Sequence, residues 1–246
     1  MLKNFSVNVI VLLLFTSVWT PAFAETIKLV AMEYPPYYGD NLPNQGFITE
    51  IVVEAFKKAG YNLEISFFPR ADAQEKANSD YDGIVGVWYS KELEKNFVFS
   101  EALPANEIGF YKRKSDQIAF TTFEALKPYI IGTVAGYASL PEFEKATFLN
   151  TTKVEKDAQN IAMLLQDRVD LIIIDKALCQ YLLKTEFRTE MNQLEWMSPP
   201  LRTESQYLGI AKKTSGFQKK LNAFNQGLKK ITKENMIMKI MEKHGF

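Results

Sequence analysis

Three groups of residues in this chain have the types and spacing to hold a small charged molecule. Asp175 ends the apolar run Leu171-Ile172-Ile173-Ile174, where a carboxylate is desolvated unless a cation or hydrogen-bond donors meet it. It also stands directly before Lys176 to Leu183, so it reads equally as the N-cap of a helix, and the two roles are compatible. The segment Glu33-Tyr34-Pro35-Pro36-Tyr37-Tyr38-Gly39 places a carboxylate and three phenols around two prolines. Prolines fix φ and hold their predecessors extended, so the rings of Tyr34, Tyr37 and Tyr38 are presented with little entropy left to lose. Gly86-Val87-Trp88-Tyr89-Ser90 ends a short β-forming run and brings small, aromatic and hydroxyl groups to a strand's carboxyl edge, where open α/β sheets bind ligands. Rings over a desolvated cation contribute about 0.5 to 2 kcal/mol, although any of them can instead pack the interior. Arg70 follows Phe67-Phe68-Pro69 at a strand-to-helix turn, either as a ligand-binding guanidinium or as a surface arginine. Glu33 has the same two readings, ligand acceptor or solvated side chain.

The chemistry these residues support is binding. His244 is the only histidine and lies two residues from the C-terminus, where it is expected to be frayed and exposed, so no Ser-His or Cys-His mechanism is expected. No His/Cys cluster can ligate zinc, and neither a P-loop nor G-x-G-x-x-G occurs, so neither a metal nor a cofactor is expected. Cys179 is the only cysteine, which excludes an intramolecular disulfide, and its apolar setting marks it as a packing residue. Carboxylate acid/base chemistry through Glu33 and Asp175 is left open as the enzymatic alternative.

Residues 1–24 have the form of a secretory leader: Lys3, an apolar core from Val9 to Phe15, and Ala22-Phe23-Ala24 with cleavage after Ala24. That apolar run is too short for a membrane span and is broken by Thr16, Ser17 and Thr20. The leader carries one of the 29 basic residues and none of the 29 acidic ones, leaving 28 against 29. This balance lacks the basic surface of a nucleic-acid binder. The remaining length suits two modest α/β lobes rather than one core.

Alternation of short apolar runs with helical spacing gives the elements that must position these groups. Strands are expected over Ile27 to Met32, Leu63 to Phe68 and Tyr81 to Trp88, then an apolar strand leading into Leu103. Ile108 to Lys112 reads as a crossing strand whose basic end, Lys112-Arg113-Lys114, is expected to be solvated. Tyr129 to Thr133, Arg168 to Asp175 and Tyr207 to Lys212 complete the strands. Helices are expected over Phe47 to Ala59 with Gly60 as the C′ residue, over Ala71 to Asn78, near Thr122 to Leu126, around Ile161 to Leu165, over Phe217 to Ile231 and from Lys233 to Lys243. The run of isoleucines before Asp175 is continuous rather than alternating, so that strand should be covered on both faces.

Several of these segments together resemble the type 3 extracytoplasmic solute-binding proteins, the polar amino acid binders of ABC importers. The resemblance rests on Asp80 to Leu103 with its Phe99-Ser100-x-x-Leu103 ending, on Tyr34-Pro35-Pro36-Tyr37-Tyr38, on Ile131-Gly132-Thr133-Val134-Ala135-Gly136-Tyr137, and on Asp167-Arg168-Val169-Asp170 with Asp175. It runs over residues 27–246 in the family's order. It implies two α/β lobes of the type II periplasmic-binding-protein kind, joined by two hinge crossings near Ala105 to Ile108 and Arg202 to Gln206. Lobe 1 would comprise residues 25–106 and 204–246, and lobe 2 residues 107–203. It implies a periplasmic monomer that captures a small polar solute, an amino acid or similar, and presents it to an ABC permease in the inner membrane. Relatives with this fold also include dehydratase-like enzymes, and a free-standing sensory module is the third reading.

In that pattern Asp175 matches the aspartate that holds the ligand's amino group. Ser90 and Leu93 fall where many members have the threonine and arginine of a carboxylate clamp, so the arginine is missing and Arg70 is the candidate replacement. Tyr137 and Ser139 stand where members often have a hydroxyl donor after the glycine. The expected ligand-binding set is Glu33, Tyr34, Tyr37, Arg70, Gly86, Trp88, Tyr89, Tyr137 and Asp175.

Overall fold

The computed structural model describes residues 25–135 and 140–246. The expected leader and the turn containing Gly136, Tyr137 and Ser139 lie outside them. β1 (Thr26–Met32), β2 (Asn62–Phe68) and β3 (Gly83–Trp88) are parallel, with α1 (Phe47–Lys58) and α2 (Arg70–Ser79) as their crossovers. After α3 (Lys91–Glu94) and β4 (Phe97–Phe99), the long β5 (Leu103–Arg113) carries the chain from the first half to the second. A second parallel set follows: β6 (Ile130–Val134), α4 (Pro141–Lys145), β7 (Asn150–Val154), α5 (Asp157–Leu165), β8 (Leu171–Asp175) and α6 (Lys176–Thr185). Short β9 (Leu194–Trp196) and long β10 (Arg202–Ala211) bring the chain back, and α7 (Phe217–Lys233) and α8 (Met236–Lys243) close it.

The strand order is β2-β1-β3-β10-β5-β8-β6-β7, with β4 beside β10 and β9 beside β5. The two halves meet where β5 and β10 pair antiparallel, Leu103 opposite Gln206, Asn106 opposite Glu204 and Ile108 opposite Arg202. One core joins β1, β3 and β10 to α1 and α7, through Leu29, Ile51, Phe56, Val85, Leu208 and Phe224. In the second half β8 divides two cores. Leu171 and Ile173 enter one with Phe110 and Ile131, while Ile172 and Ile174 enter the other with Ile161, Leu164 and Cys179. Successive side chains on a strand point to opposite faces, so an unbroken apolar run is what a doubly covered strand needs.

α1 ends as its sequence indicates. Gly60 takes φ +83°, its N–H donates to the Lys57 carbonyl at 3.1 Å, and the Tyr61 N–H reaches back to Phe56 at 3.1 Å. The Phe56 and Tyr61 rings meet edge to face at 6.2 Å, completing a Schellman ending with its apolar contact.

Several expectations require correction. The basic run is solvated only at Lys114, which is exposed: Arg113 donates to the Leu164 and Val169 carbonyls at 2.7 Å each and pairs with Asp116, Asp167 and Asp170. Its rigid five-donor fork gathers the turn between α5 and β8. Lys112 is buried, held by the Asp116 carbonyl at 2.7 Å and by Glu195. His244 is not frayed either: only 7% of its side chain is exposed, Nε2 lies 2.7 Å from Glu50 Oε2, and its ring meets Phe47 edge on. The helix near Thr122 is only a 3-10 turn, Glu124–Leu126. The last helix starts later than expected, because Asn235 at φ +54° separates α7 from α8. α3, α4, β7 and β9 were not foreseen.

Candidate ligand-binding site

The turn after β1 is drawn tight by its own backbone. Tyr34 and Tyr38 bond to each other at 2.9 and 3.2 Å, and the Pro35–Pro36 peptide is cis. Its rings form a packed row, Tyr34 stacked on Tyr37 at 5.5 Å and 12°, and Tyr37 against Phe47 at 5.0 Å. Tyr38 is buried and donates to the Gly86 carbonyl at 3.0 Å. Gly86 has φ +74°, and a Cβ there would run into the Tyr38 ring. The glycine is therefore required both by the backbone turn and by the ring lying against it.

Tyr37 is buried and donates to both Asp175 oxygens at 2.9 Å. Asp175 is fully buried at the end of β8, opposite Ile108 of β5. It is the N-cap of α6, with Oδ1 accepting from the Leu178 N–H at 2.9 Å, and Oδ2 accepts from Asn106 Nδ2 at 3.0 Å. Asn106 in turn accepts from Trp88 Nε1 at 2.8 Å. A continuous polar chain thus runs from the end of β3, through the β5 crossing, to the start of α6 and back to the tyrosine turn. Burial raises the Asp175 pKa above the usual carboxylate range, while Leu178, Asn106 and Tyr37 draw it back. Burial, then the Asp175 charge, pushes the Tyr37 hydroxyl far above the ordinary phenol range, so it remains a donor.

Two members of this chain, Trp88 and Asn106, also line a cavity of about 460 Å³. Glu33, Tyr34, Tyr38, Gly86, Trp88 and Leu93 line it from the first half, Asn106 from the crossing, and Ala135 and Asp157 from the second half. Trp88 also packs against the core of the second half, and Arg202 lies over its ring at 5.2 Å while pairing with Glu204 at 2.6 Å.

Of the expected residues, the structure brings Glu33, Tyr34, Gly86 and Trp88 to the cavity, while Tyr37 and Asp175 are buried, are not among its lining residues, and connect to it through the Asn106–Asp175 bond. Tyr89 is 47% exposed, points away to Glu94 at 2.7 Å, and is not among the lining residues. Ser90 caps α3 by accepting from the Leu93 N–H at 3.2 Å. Arg70 opens α2, and its side chain, like Tyr137, lies outside the described residues. Sequence reasoning missed Asn106 and Asp157. Neither belongs to a motif, although Asp157 at the start of a helix after Glu155-Lys156 is a charged residue in the position where strand-to-helix turns face a cleft. Among the described residues no group of three or more His, Cys, Asp or Glu side chains is arranged to hold a metal ion.

Two α/β halves joined by a pair of crossing strands, with a cavity between them, define a two-lobed ligand-binding protein of the type II periplasmic-binding-protein fold. The chain belongs to the bacterial extracellular solute-binding proteins, family 3, whose model matches residues 28–246. Among solved structures it is similar to the probable amino-acid ABC transporter extracellular-binding protein ytmK of Bacillus subtilis, at 15% identity and TM-score 0.76, covering 89% of this chain and 97% of that one. It is similar also to the second substrate binding domain of a putative amino acid ABC transporter from Streptococcus pneumoniae, at 18% identity and TM-score 0.69 over 88% and 98%. The GluR0 ligand-binding core of Nostoc punctiforme, in complex with L-glutamate, matches at 17% identity and TM-score 0.65 over 88% and 98%. No curated protein matches by sequence.

Proposed function

We propose that the protein is a periplasmic binding component that captures a small polar solute, an amino acid or similar, and presents it as a monomer to an ABC permease. The observation that carries this reading is the cavity itself, lined from both lobes and from the crossing strand between them. A solute there contacts both lobes at once, so it favours the state in which they are together over the state in which they are apart. Lobe 1 is taken as residues 25–106 and 204–246, and lobe 2 as residues 107–203. Glu33, Tyr34, Gly86 and Trp88 form the contact surface in this proposal, and Arg70 and Tyr137 are proposed as further ligand contacts. Tyr37 and Asp175, joined to the lining residue Asn106 by the Asp175 hydrogen bond, hold that surface in place in this proposal. The leader is removed after Ala24.

Thermal melting of the mature protein with amino acids, amines and small acids tests the reading. At about 100 times Kd the expected stabilisation is about 2.7 kcal/mol, which for a chain of this size moves Tm by roughly 5 to 10 °C. The solute must emerge chemically unchanged after prolonged incubation. Turnover that is lost on Glu33→Gln with folding intact would replace binding with catalysis.

A further inference from the structure

The charge of the solute can be read from which groups in the cavity already have partners. Asp175 is an unsuitable anchor for a ligand cation in this arrangement: it is fully buried, and Tyr37, Asn106 and the Leu178 N–H bond its oxygens. Asp157 differs. It lines the cavity from the first turn of α5, and its Oδ1 is buried with no hydrogen-bond partner among the described residues. Leaving a carboxylate oxygen desolvated and unbonded is costly, and a donor cation arriving in the cavity removes that cost. The second carboxylate at the cavity, Glu33, is exposed and accepts the Asp40 N–H at 3.0 Å. Among the described lining residues there is no lysine or arginine, and Leu93 contributes an apolar wall. Tyr34, Tyr38 and Trp88 supply rings, whose faces attract cations.

We infer that Asp157 is the anionic anchor of the site, and that the solute carries an amine or guanidinium cation which donates to Asp157 against the aromatic wall. This rests on the solute-binding reading and deepens it by assigning the charge that the solute must bring. A cation bound to Asp157 also favours its ionised form. Burial, followed by the Asp175 charge, pushes the Asp157 carboxyl up to about 6, so cation affinity should fall below about pH 6, by up to about tenfold per pH unit. Of the other titratable groups around it, Cys179 and Tyr111 stay protonated because burial pushes both well above their usual ranges. Asp175, whose carboxyl burial also raises, is coupled to Asp157 through its charge, so the wild-type pH profile is read against that of Asp157→Asn. Glu33, across the cavity, is the remaining carboxylate at the site.

The test is calorimetric titration with compounds of three kinds: putrescine and agmatine, which carry cations alone; lysine and arginine, which carry both charges; succinate and glutarate, which carry carboxylates alone. The expected result is binding of at least one cation-bearing compound, weakened tenfold or more by Asp157→Asn, partly kept by Asp157→Glu, and weakened in the wild type below pH 6. Ligand-free melting of each variant checks folding, and the wild-type pH profile tests the same point without any substitution. If only the dicarboxylates bind, or if a cation binds Asp157→Asn as tightly as wild type with no loss below pH 6, the inference is overturned while solute binding stands. If no compound of any kind binds, both readings fall together.

Discussion

Replacing Tyr37 by Phe keeps the ring row and removes one hydroxyl. The ring still lies between Tyr34 at 5.5 Å and Phe47 at 5.0 Å, so the change isolates the hydrogen bond to Asp175. A hydrogen bond to a charged group contributes about 1.5 to 3 kcal/mol, and Asp175 has no exposed edge through which water can replace it. The expected loss at neutral pH is therefore about 2 kcal/mol, or roughly 4 to 8 °C in Tm. The loss must also depend on pH in a fixed direction. The folded-state pKa of Asp175 is already raised above its unfolded value, so the folded protein holds a proton that the unfolded chain releases, and stability falls as pH rises through that window. Removing the Tyr37 donor raises the folded pKa further, so the penalty should be smallest in acid, where Asp175 is protonated, and grow as pH rises through the folded-state pKa. Urea unfolding followed by circular dichroism and by tryptophan emission measures it. Trp88 is a useful reporter because its indole donates to Asn106, the next member of the same chain. In an Asp175→Asn background the Tyr37→Phe penalty should shrink by more than half, since the charge that made the bond strong is gone. A penalty that does not change from acid to alkaline pH, and is unchanged in the Asn background, would refute the reasoning.

Three other outcomes follow from the geometry. Gly86→Ala should destabilise by at least about 2 kcal/mol and abolish solute binding, because the added methyl meets the Tyr38 ring at a positive φ; melting and titration read both effects. Glu50→Gln should cost stability at pH 7 and progressively less below the ordinary glutamate range. Burial alone would raise the Glu50 pKa, but Lys243, His244 and Asn44 outweigh it and hold the carboxyl below its usual value. That stabilisation is present above the unfolded pKa and is lost as pH falls through the folded one, so wild type and variant should converge in acid melts. Cys179 should react with an aromatic disulfide reagent only on unfolding, since it is fully buried and its thiol pKa is pushed well up by burial.

Periodicity carried most of the scaffold. β8 was legible because a strand covered on two faces must be apolar at every position, and the C-terminal end of α1 because Gly60 has one conformational use there. The missed strand β7, Asn150–Val154, is a polar edge strand with few buried positions, so it leaves almost no apolar signature. Arg113 and His244 were misjudged because exposure was inferred from charge and from nearness to the chain end. Only tertiary packing reveals that the Leu164 and Val169 carbonyls need the former and Glu50 the latter. Residues presented by a rigid turn or a strand end, Tyr34, Tyr37, Trp88 and Asp175, could be singled out from the sequence, and of these Tyr34 and Trp88 line the cavity. What the sequence could not convey was the division of labour between two aspartates. Asp175 is satisfied from within the protein, while Asp157 meets the cavity, and that distinction depends on where Tyr37 and Asn106 arrive.

The position of β10 beside β3 also governs how the chain must assemble. β3 ends at Trp88, yet its neighbour begins at Arg202, so for a chain emerging from its N-terminus the first sheet has an open hydrogen-bonding edge while more than a hundred further residues are made. β6, α5 and β8, by contrast, lie within one uninterrupted stretch and can pack as soon as they are complete. Assembly therefore finishes on the older half of the sequence. Until β10 docks, β3 and β4 present unpaired edges that favour aggregation, and a truncation before Arg202 leaves that hazard permanent.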